Sequence, residues 1–373
     1  MLISCRIYCR LIFAAALCAL STVVAAQPTI EDPDGEFGPV YRHLGIRLQS
    51  SIERQNNVLT QLDDLKREPC DSRAVSNLAD TLNRLNQRRN AAEALFNFVQ
   101  KCNSSVGHLH TSADIYLSLA DYPKAIEVAD YFTRQAPSVG DARYLRGLAL
   151  HRMGNHERAL TDFANAIELF GSNKKEIGSR VFLNMSNAYA ALGRHCEAIG
   201  PISQWASYDP PNRDTSRTRH MILELEAKGK CANAPANAVE RLAASGPNQV
   251  ITAQVTINGV RGRFIVDTGA SYVAVSASFG KKAKLKNTGG SVSLWTANGT
   301  TSGAIATADT VVLGKVSANQ IPTIVSEVDG KAFAGGADGL LGMSFLTRFD
   351  VRLNGRSLEI RARGAANAAP GRK

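Results

Sequence analysis

The sequence lacks the features of several common classes of protein and enzyme. Its 373 residues carry a formal charge of +10, yet the Lys and Arg residues are dispersed and aromatic residues make up only 6%. No basic stripe with interleaved aromatics is present, so nucleic acid is not expected as a partner. The sequence also contains no phosphate-binding loop, no Gly-x-Ser-x-Gly and no His-Glu-x-x-His. No cofactor and no competing active site of these types are therefore predicted.

Cysteine is scarce, and its spacing argues against a metal site. Three of the seven cysteines lie close to the N-terminus: Cys5, Cys9 and Cys18. The other four are Cys70, Cys102, Cys196 and Cys231. Because neither Cys-x-x-Cys nor His-x-x-x-His occurs, we predict no metal. An even number of cysteines instead predicts two disulfides in an oxidising compartment, and four cysteines allow three pairings.

Long hydrophobic runs are missing except near the N-terminus. There Arg6 and Arg10 precede an apolar stretch, residues 11–20, and small residues follow up to Ala26. This order predicts a signal peptide over residues 1–26, and a mature protein that is periplasmic or secreted, without a stable membrane span. The alternative is a membrane anchor, because the apolar stretch is only modestly shorter than the roughly 20 residues of a span. Without the two arginines the charge of +10 falls by two, to about +8.

The composition is that of a folded protein in two parts. Hydrophobic residues make up 44% and charged residues 20%, and the length suits two domains. The pattern changes from helical periodicity to strand-like alternation near residue 250. We predict a signal peptide over 1–26, an N-terminal helical segment over 27–73, a helical repeat domain over 74–231, a linker over 232–246, a β domain over 247–363 and a disordered tail over 364–373.

Small residues recur every 34 positions in the helical part. One series is Ala79, Ala113 and Gly147, and the other is Ala91, Ala125 and Ala159. Small residues at these places let two antiparallel helices approach closely. The spacing resembles the tetratricopeptide repeat over about residues 74–210, with an insertion before the fourth unit. The resemblance implies a groove for a protein substrate or partner, and helix-turn-helix arrays of another kind remain the alternative.

The repeat frame selects one of the three disulfide pairings. Cys70 would precede the first helix of unit one, and Cys102 would end the antiparallel helix of the same unit. Cys196 would start the second helix of unit four, and Cys231 would follow a capping helix over about residues 214–227. Antiparallel helices bring such ends together, so the frame predicts bonds within these two pairs.

Two further segments flank the repeats. Residues 42–67 carry leucine and isoleucine at near-helical spacing, with neither Pro nor Gly after Gly45, which predicts one long helix. Between residues 232 and 248 the sequence is rich in Ala, Asn, Pro, Ser and Gly. This composition predicts a linker with a short helical piece at residues 238–243.

The β domain begins with a hairpin that ends in a carboxylate. Residues 250–257 and 260–266 alternate as strands do, and Asn258-Gly259 between them is a preferred hairpin turn. The second strand runs into Asp267-Thr268-Gly269, and another β-rich run, residues 272–276, follows. A carboxylate is thus predicted on a tight glycine turn at the end of a buried hairpin.

Residues 247–363 resemble the retropepsin-type aspartic proteases. The resemblance rests on the run Asp-Thr-Gly-Ala-Ser and on a later apolar segment with glycine, residues 338–343. It implies that Asp267 is catalytic and that the active-site loop contains Thr268, Gly269, Ala270 and Ser271. It implies a flap over the substrate at Trp295, Thr296, Ala297, Asn298 and Gly299. It implies support of the loop by Gly339, Leu340, Leu341 and Gly342.

The two resemblances together predict an all-α tetratricopeptide-like repeat array followed by an all-β retropepsin-like domain. They imply an aspartic endopeptidase that hydrolyses polypeptide substrates. Its chemistry needs two carboxylates that share one proton, and the sequence contains a single Asp-Thr-Gly. Asp338 does not lie where this family places a catalytic aspartate.

The resemblance therefore implies a homodimer in which each subunit supplies one Asp267. Thr268 would hydrogen-bond across the dyad, and activity would favour acid pH because one carboxyl group of the pair must stay protonated. The alternative is an adaptor that uses the protease fold for dimerisation or peptide binding.

Overall fold

The structure of the chain is a computed structural model. It describes residues 35–102, 105–170, 175–231, 238–244, 250–296, 299–327, 333–354 and 357–362. The predicted signal peptide, the predicted tail and much of the predicted linker lie outside these residues. Within the described part of the chain, no helix combines the length and the apolar character needed to cross a membrane.

The N-terminal segment forms three short helices. They are α1 (Gly38–Leu44), α2 (Ser50–Glu53) and α3 (Asn56–Arg67). The prediction of one long helix over residues 42–67 was therefore wrong. Gly45 ends α1 in the left-handed conformation at φ 67°. Residues 53–57 are all polar, so no apolar side chain holds a continuous helix against the core there.

Four antiparallel helix pairs follow and confirm the predicted repeat array. The pairs are α4 (Ser72–Arg84) with α5 (Arg88–Cys102), α6 (Val106–Ser118) with α7 (Tyr122–Gln135), α8 (Gly140–Arg152) with α9 (His156–Leu169), and α10 (Ser179–Ala191) with α11 (His195–Ser207). Ala91, Ala125 and Ala159 are fully buried. A Cβ on Gly147 would lie 2.8 Å from the ring of Phe163, which shows how closely the helices of the third pair approach.

Two more helices and two disulfides complete the array. The helices are α12 (Pro210–Arg213) and α13 (Ser216–Gly229), and α13 packs on α11. Cys70 is bonded to Cys102 and Cys196 to Cys231, which is the pairing that the repeat frame predicts. The bonded residues are 32 and 35 positions apart in sequence. Chain-entropy reasoning gives each bridge a stabilisation of roughly 3 to 4 kcal/mol.

The described part of the C-terminal domain contains ten strands and two short α-helices. The strands are β1 (Val239–Ala243), β2 (Thr252–Ile257), β3 (Val260–Val266), β4 (Val273–Val275), β5 (Lys286–Thr296), β6 (Gly299–Leu313), β7 (Val316–Ser326), β8 (Gly339–Leu341), β9 (Phe349–Asn354) and β10 (Ser357–Ala362). The helices are α14 (Ala277–Lys282) and α15 (Met343–Leu346). Seven strands form one sheet in the order β2-β3-β8-β4-β7-β6-β5, and β2 also pairs with β6, so the sheet curls back on itself.

The opening hairpin forms as predicted. Strands β2 and β3 pair in antiparallel register from Ile257 opposite Val260. The connecting Asn258 and Gly259 both have positive φ, 47° and 83°, as a two-residue turn of the favoured type requires. Phe264 of β3 is fully buried, so the strand that leads to Asp267 is fixed against the core.

Strand β1 corrects the prediction for the linker. Residues 239–243, expected as a short helical piece, pair in antiparallel register with β10, which also pairs with β9. The side chain of Arg241 donates to Glu359 at 2.8 Å across this three-stranded sheet. Because the pairing partner lies more than 100 residues later in the sequence, local composition gave no sign of it. The β domain therefore includes part of the predicted linker.

The second half of the array and the β domain share one hydrophobic core. Four buried residues of the β domain belong to the same cluster as the cores of α9 and α10: Tyr272, Val292, Ile305 and Ile324. Polar contacts surround this cluster. Arg194 donates to Thr307 at 3.0 Å, and Thr307 donates to the buried Glu197 at 2.6 Å. The buried Arg348 donates to the carbonyl oxygen of Cys196.

Candidate active site

Asp267 lies at the end of β3, on the predicted glycine turn. Its backbone N–H donates to the carbonyl oxygen of Leu341 at 3.2 Å, and its own carbonyl oxygen accepts from Ala270 at 3.4 Å. Its Oδ1 accepts from the backbone N–H of Gly269 at 2.8 Å. The carboxylate is therefore oriented by the turn it begins, and the side chain is only partly buried. Thr268 and Gly269 are exposed, so the tip of the turn is open to a partner or a substrate.

Strand β8 supports this loop from behind. It lies between β3 and β4. It runs parallel to β3, with Gly339 opposite Phe264, and antiparallel to β4. A Cβ on Gly342 would collide with the carbonyl oxygen of Tyr272, so only glycine allows this approach. The backbone N–H of Met343 donates to the carbonyl oxygen of Ala270 at 2.8 Å. The segment predicted to support the loop thus lies directly against it, with Leu341 buried and Leu340 half-buried.

Ser344 also holds the loop, and the sequence gave no signal for it. Its backbone N–H donates to the carbonyl oxygen of Ser271 at 3.0 Å. Its hydroxyl donates to the carbonyl oxygen of Pro322 at 2.7 Å and accepts from the N–H of Val273 at 2.8 Å. Ser344 is buried, and its three hydrogen bonds join the active-site loop and the start of β4 to β7.

Asp338 has a structural role in this arrangement. Its Oδ2 accepts from the backbone N–H of Arg263 at 2.8 Å, and its own N–H donates to the carbonyl oxygen of Arg263 at 2.8 Å. These bonds fix the start of β8 to the middle of β3. The carboxylate is thereby occupied away from the glycine turn.

The predicted flap residues lie at the tip of the hairpin of β5 and β6. Thr296 ends β5 opposite Gly299, which begins β6, and Trp295 pairs with Thr300 one position back. Ala297 and Asn298, between the strands, lie outside the described residues, as do the side chains of the neighbouring positions. The hairpin predicted for this region is present, and its role as a flap stays a prediction.

A large cavity opens in front of Asp267. Its volume is about 1530 Å³, and Asp267 and Thr268 form part of its wall. Residues of β9, of α15 and of the array helices α11 to α13 complete the wall. Leu223 on α13 and Val250 before β2 are large apolar residues of this wall that are exposed, at 60% and 38%. The participation of the array in this cavity could not be predicted from the sequence, because its wall residues precede Asp267 by 41 or more positions.

The array also contacts the active-site loop directly. The hydroxyl of Ser271 donates to Oε1 of Glu168, on α9, at 2.6 Å. Tyr208 follows α11 and accepts from Nε2 of Gln204 at 2.6 Å, and burial raises the pKa of Tyr208 to about 12. Burial likewise raises the pKa of Tyr272 well above its ordinary value. Both phenols therefore stay neutral over the pH range in which a carboxylate pair would work.

One group of possible metal ligands occurs among the described residues, and it lies far from Asp267 in the sequence. The ligand atoms of His43, Cys70 and Cys102 are all within 4.8 Å of one another. Both cysteines are joined in a disulfide, so neither offers the thiolate that a metal site would need.

Two family models match parts of this chain. The aspartyl protease model matches residues 253–345, and the tetratricopeptide repeat model matches residues 110–174. The C-terminal domain therefore resembles the retropepsin-like fold, and the helical array contains tetratricopeptide repeats over residues 110–174. No curated protein matches the chain.

Solved structures are also similar to parts of the chain. One is a retropepsin-like aspartic protease from Rickettsia conorii, with 27% identity and a TM-score of 0.25, covering 35% of this chain and 94% of that chain. Another is a thermophilic TPR protein from Thermus thermophilus, with 21% identity and a TM-score of 0.34. The match covers 44% of this chain and 89% of that chain. A third is MamA, with 16% identity and a TM-score of 0.38. The match covers 48% of this chain and 95% of that chain.

Proposed function

We propose that this protein is an aspartic endopeptidase in which Asp267 activates the water that attacks the peptide bond. The observation that carries the proposal is the carboxylate of Asp267 on a glycine turn, supported by β8 and open to a cavity of about 1530 Å³. A cavity of this size has room for an extended segment of polypeptide. The match to the aspartyl protease model supports the same reaction.

The proposed active site is shared between two copies of the chain. Three other carboxylates line the cavity, and none of them lies on a glycine turn: Asp214 follows α12, Glu226 is in α13 and Asp350 is in β9. Asp214 accepts from Nε of Arg219 at 2.9 Å and is thereby paired with a cation. The second catalytic carboxylate is therefore Asp267 of another subunit, with the exposed Thr268 at the dyad.

In this dimer one proton is shared by the two carboxyl groups. The ionised group takes a proton from the attacking water while the protonated group donates one to the carbonyl oxygen of the substrate. Because one carboxyl group of the pair must stay protonated, activity favours acid pH. The flap residues at the tip of β5 and β6 close over the bound peptide and exclude water.

The repeat array recruits a protein substrate or partner in its groove, and the protein works outside the cytoplasm. The two disulfides support an oxidising compartment, periplasmic or extracellular, in which a signal peptide over residues 1–26 would be removed. N-terminal sequencing of the mature protein tests this part of the proposal. A mature chain that begins at Met1 would contradict it.

The catalytic proposal is tested by cleavage of casein between about pH 4 and pH 7 by the wild-type protein and by Asp267→Asn. We expect cleavage that is strongest at the acid end and is absent from the variant. Circular dichroism and gel filtration of both proteins check that the variant remains folded. If both proteins are folded and inert at every pH, the adaptor is the better account.

A further inference from the structure

Three residues on one face of α9 contact two different parts of the candidate active site. They are Thr161, Asn165 and Glu168, spaced at i, i+4 and i+7, so they lie along one side of the helix. Oγ1 of Thr161 accepts from the backbone N–H of Gly290 at 2.9 Å, and Nδ2 of Asn165 donates to the carbonyl oxygen of Ser291 at 3.1 Å. Glu168 accepts from the hydroxyl of Ser271 at 2.6 Å.

The two parts held by α9 are those that a peptidase must position. Gly290 and Ser291 lie in β5, where the pairing with β6 shifts register, and the hairpin continues from there to the predicted flap. Ser271 ends the loop that begins with Asp267. One helix of the array therefore holds both the base of the flap hairpin and the active-site loop.

Helix α9 is itself held firmly in place. Phe163 and Ile167 are fully buried in the core that the array shares with the β domain. Asp162 is also buried and accepts two hydrogen bonds from Arg146, at 2.6 and 2.7 Å. Glu168 thus extends from a rigid element, which is the condition for a side chain to orient another group.

The bond from Ser271 to Glu168 differs in kind from the other bonds of the loop. Between backbone groups, the loop is held by hydrogen bonds to Leu341, Met343 and Ser344 of the β domain itself. A hydrogen bond from a hydroxyl to a carboxylate is shorter and stronger than a hydrogen bond between two neutral groups. Ser271 is also 8% exposed, so the bond is largely shielded from competing water.

We propose that Glu168 of the repeat array is a positioning residue of the peptidase, acting through Ser271 to orient the loop that carries Asp267. This inference rests on the proposed function and adds a role for the array beyond recruitment. The array completes the active site of its own chain. A shift of the loop by about 1 Å is enough to reduce turnover by about 100-fold, because the reacting atoms lose their alignment.

The test uses the full-length protein with four variants: Glu168→Gln, Glu168→Ala, Ser271→Ala and the double variant Glu168→Ala with Ser271→Ala. We expect Glu168→Ala to lower kcat about 10- to 100-fold on a casein-derived peptide, with little change in KM. Glu168→Gln keeps an acceptor oxygen and should retain most of the turnover. The double variant should be no slower than Ser271→Ala, because the two residues act in one chain of contacts.

Glu157 provides a matched control on the same helix. Its side chain is 50% exposed and pairs with Arg194 instead of the active-site loop. Glu157→Ala should leave kcat and KM unchanged. The positioning role is wrong if Glu168→Ala keeps the wild-type kcat, or if the effects of Glu168→Ala and Ser271→Ala are additive in the double variant.

Hydrogen exchange separates failure of this inference from failure of the proposed function. Even if the wild-type protein proves inert on every substrate, backbone amides of residues 267–273 should exchange faster in Glu168→Ala than in wild type or Glu157→Ala. That result would keep the positioning role of Glu168 while the peptidase proposal falls. Unchanged exchange in Glu168→Ala would overturn the positioning role whatever the activity.

Discussion

The two halves of the repeat array have the same architecture but different surroundings. The helices α4 to α7, with part of α8, pack in one core with the N-terminal helices, and this core includes no residue of the β domain among those described. The helices α9 and α10 pack in a core that contains four residues of the β domain. The first half is therefore a module packed on itself, and the second half is part of the candidate peptidase.

The difference is visible at equivalent positions of the repeat. Glu127 and Arg134 of α7 lie 34 residues, or one repeat, before Thr161 and Glu168. Both are exposed. On α7 these positions carry solvated charges, whereas on α9 they bind the β domain. Small residues at inner positions define the repeat, and the outer positions decide which repeats bind another domain.

The largest expected effect comes from removing one buried ring in each half. Phe132 in α7 and Phe163 in α9 are both buried, at 2% and 0% exposure. Phe132→Ala and Phe163→Ala should each lower the free energy of unfolding by about 3 to 5 kcal/mol, measured with urea. Hydrogen exchange should rise in β5 and β6 only for Phe163→Ala. Equal hydrogen-exchange rates in β5 and β6 for both variants would contradict the claim that only the second half of the array supports the β domain.

A smaller effect is expected from the ion pairs of the two halves. Arg194 donates from Nε to Glu197 at 2.6 Å, and the Glu197 side chain is 2% exposed. Burial alone would lower the pKa of Arg194, but the hydrogen bond and charge of Glu197 raise it above its ordinary value. Arg194→Ala leaves a buried carboxylate without its cation and should cost about 2 to 3 kcal/mol, allowing for partial exposure.

The control for this pair is in the first half. Arg89 pairs with Asp121 at 2.5 Å, but its side chain is 62% exposed. Arg89→Ala should therefore change the free energy of unfolding by less than about 1 kcal/mol. Similar losses for the two variants in urea unfolding would mean that burial of the Arg194–Glu197 pair beside Thr307 adds nothing to stability.

The smallest effect on stability is expected from protonation of His108, in the first half of the array. Burial lowers the pKa of His108, whose Nε2 lies 2.8 Å from the hydroxyl of Ser76. The unfolded chain binds this proton at higher pH than the folded chain. The stability due to neutral His108 is present above about pH 6.5 and is lost as the pH falls towards the folded pKa.

This titration is measured by comparing melting temperatures of wild type and His108→Gln at about pH 7.5 and pH 5. We expect the wild type to lose more stability on acidification than the variant. An identical loss in both proteins would show that His108 does not contribute to the pH dependence.

The sequence predicted the features that depend on neighbouring residues. The step of 34 between small residues placed the helix pairs and the disulfides, and Asn258-Gly259 placed the hairpin that leads to Asp267. Strand β1 was missed because its partner β10 is distant in sequence. The contact between Glu168 and Ser271 spans 103 positions and was missed for the same reason. Ser271 was predicted as a loop residue, but nothing in α9 marks Glu168 as its partner.

The most direct test of the account uses heterodimers of the full-length protein, isolated through two different affinity tags. One chain carries Asp267→Asn and the other is wild type. If the active site is shared, the heterodimer should cleave casein at less than about a thousandth of the rate of the wild-type homodimer, since its single site has lost one carboxylate. A heterodimer with half of the homodimer's activity, or an active protein that forms no dimer, would contradict the account.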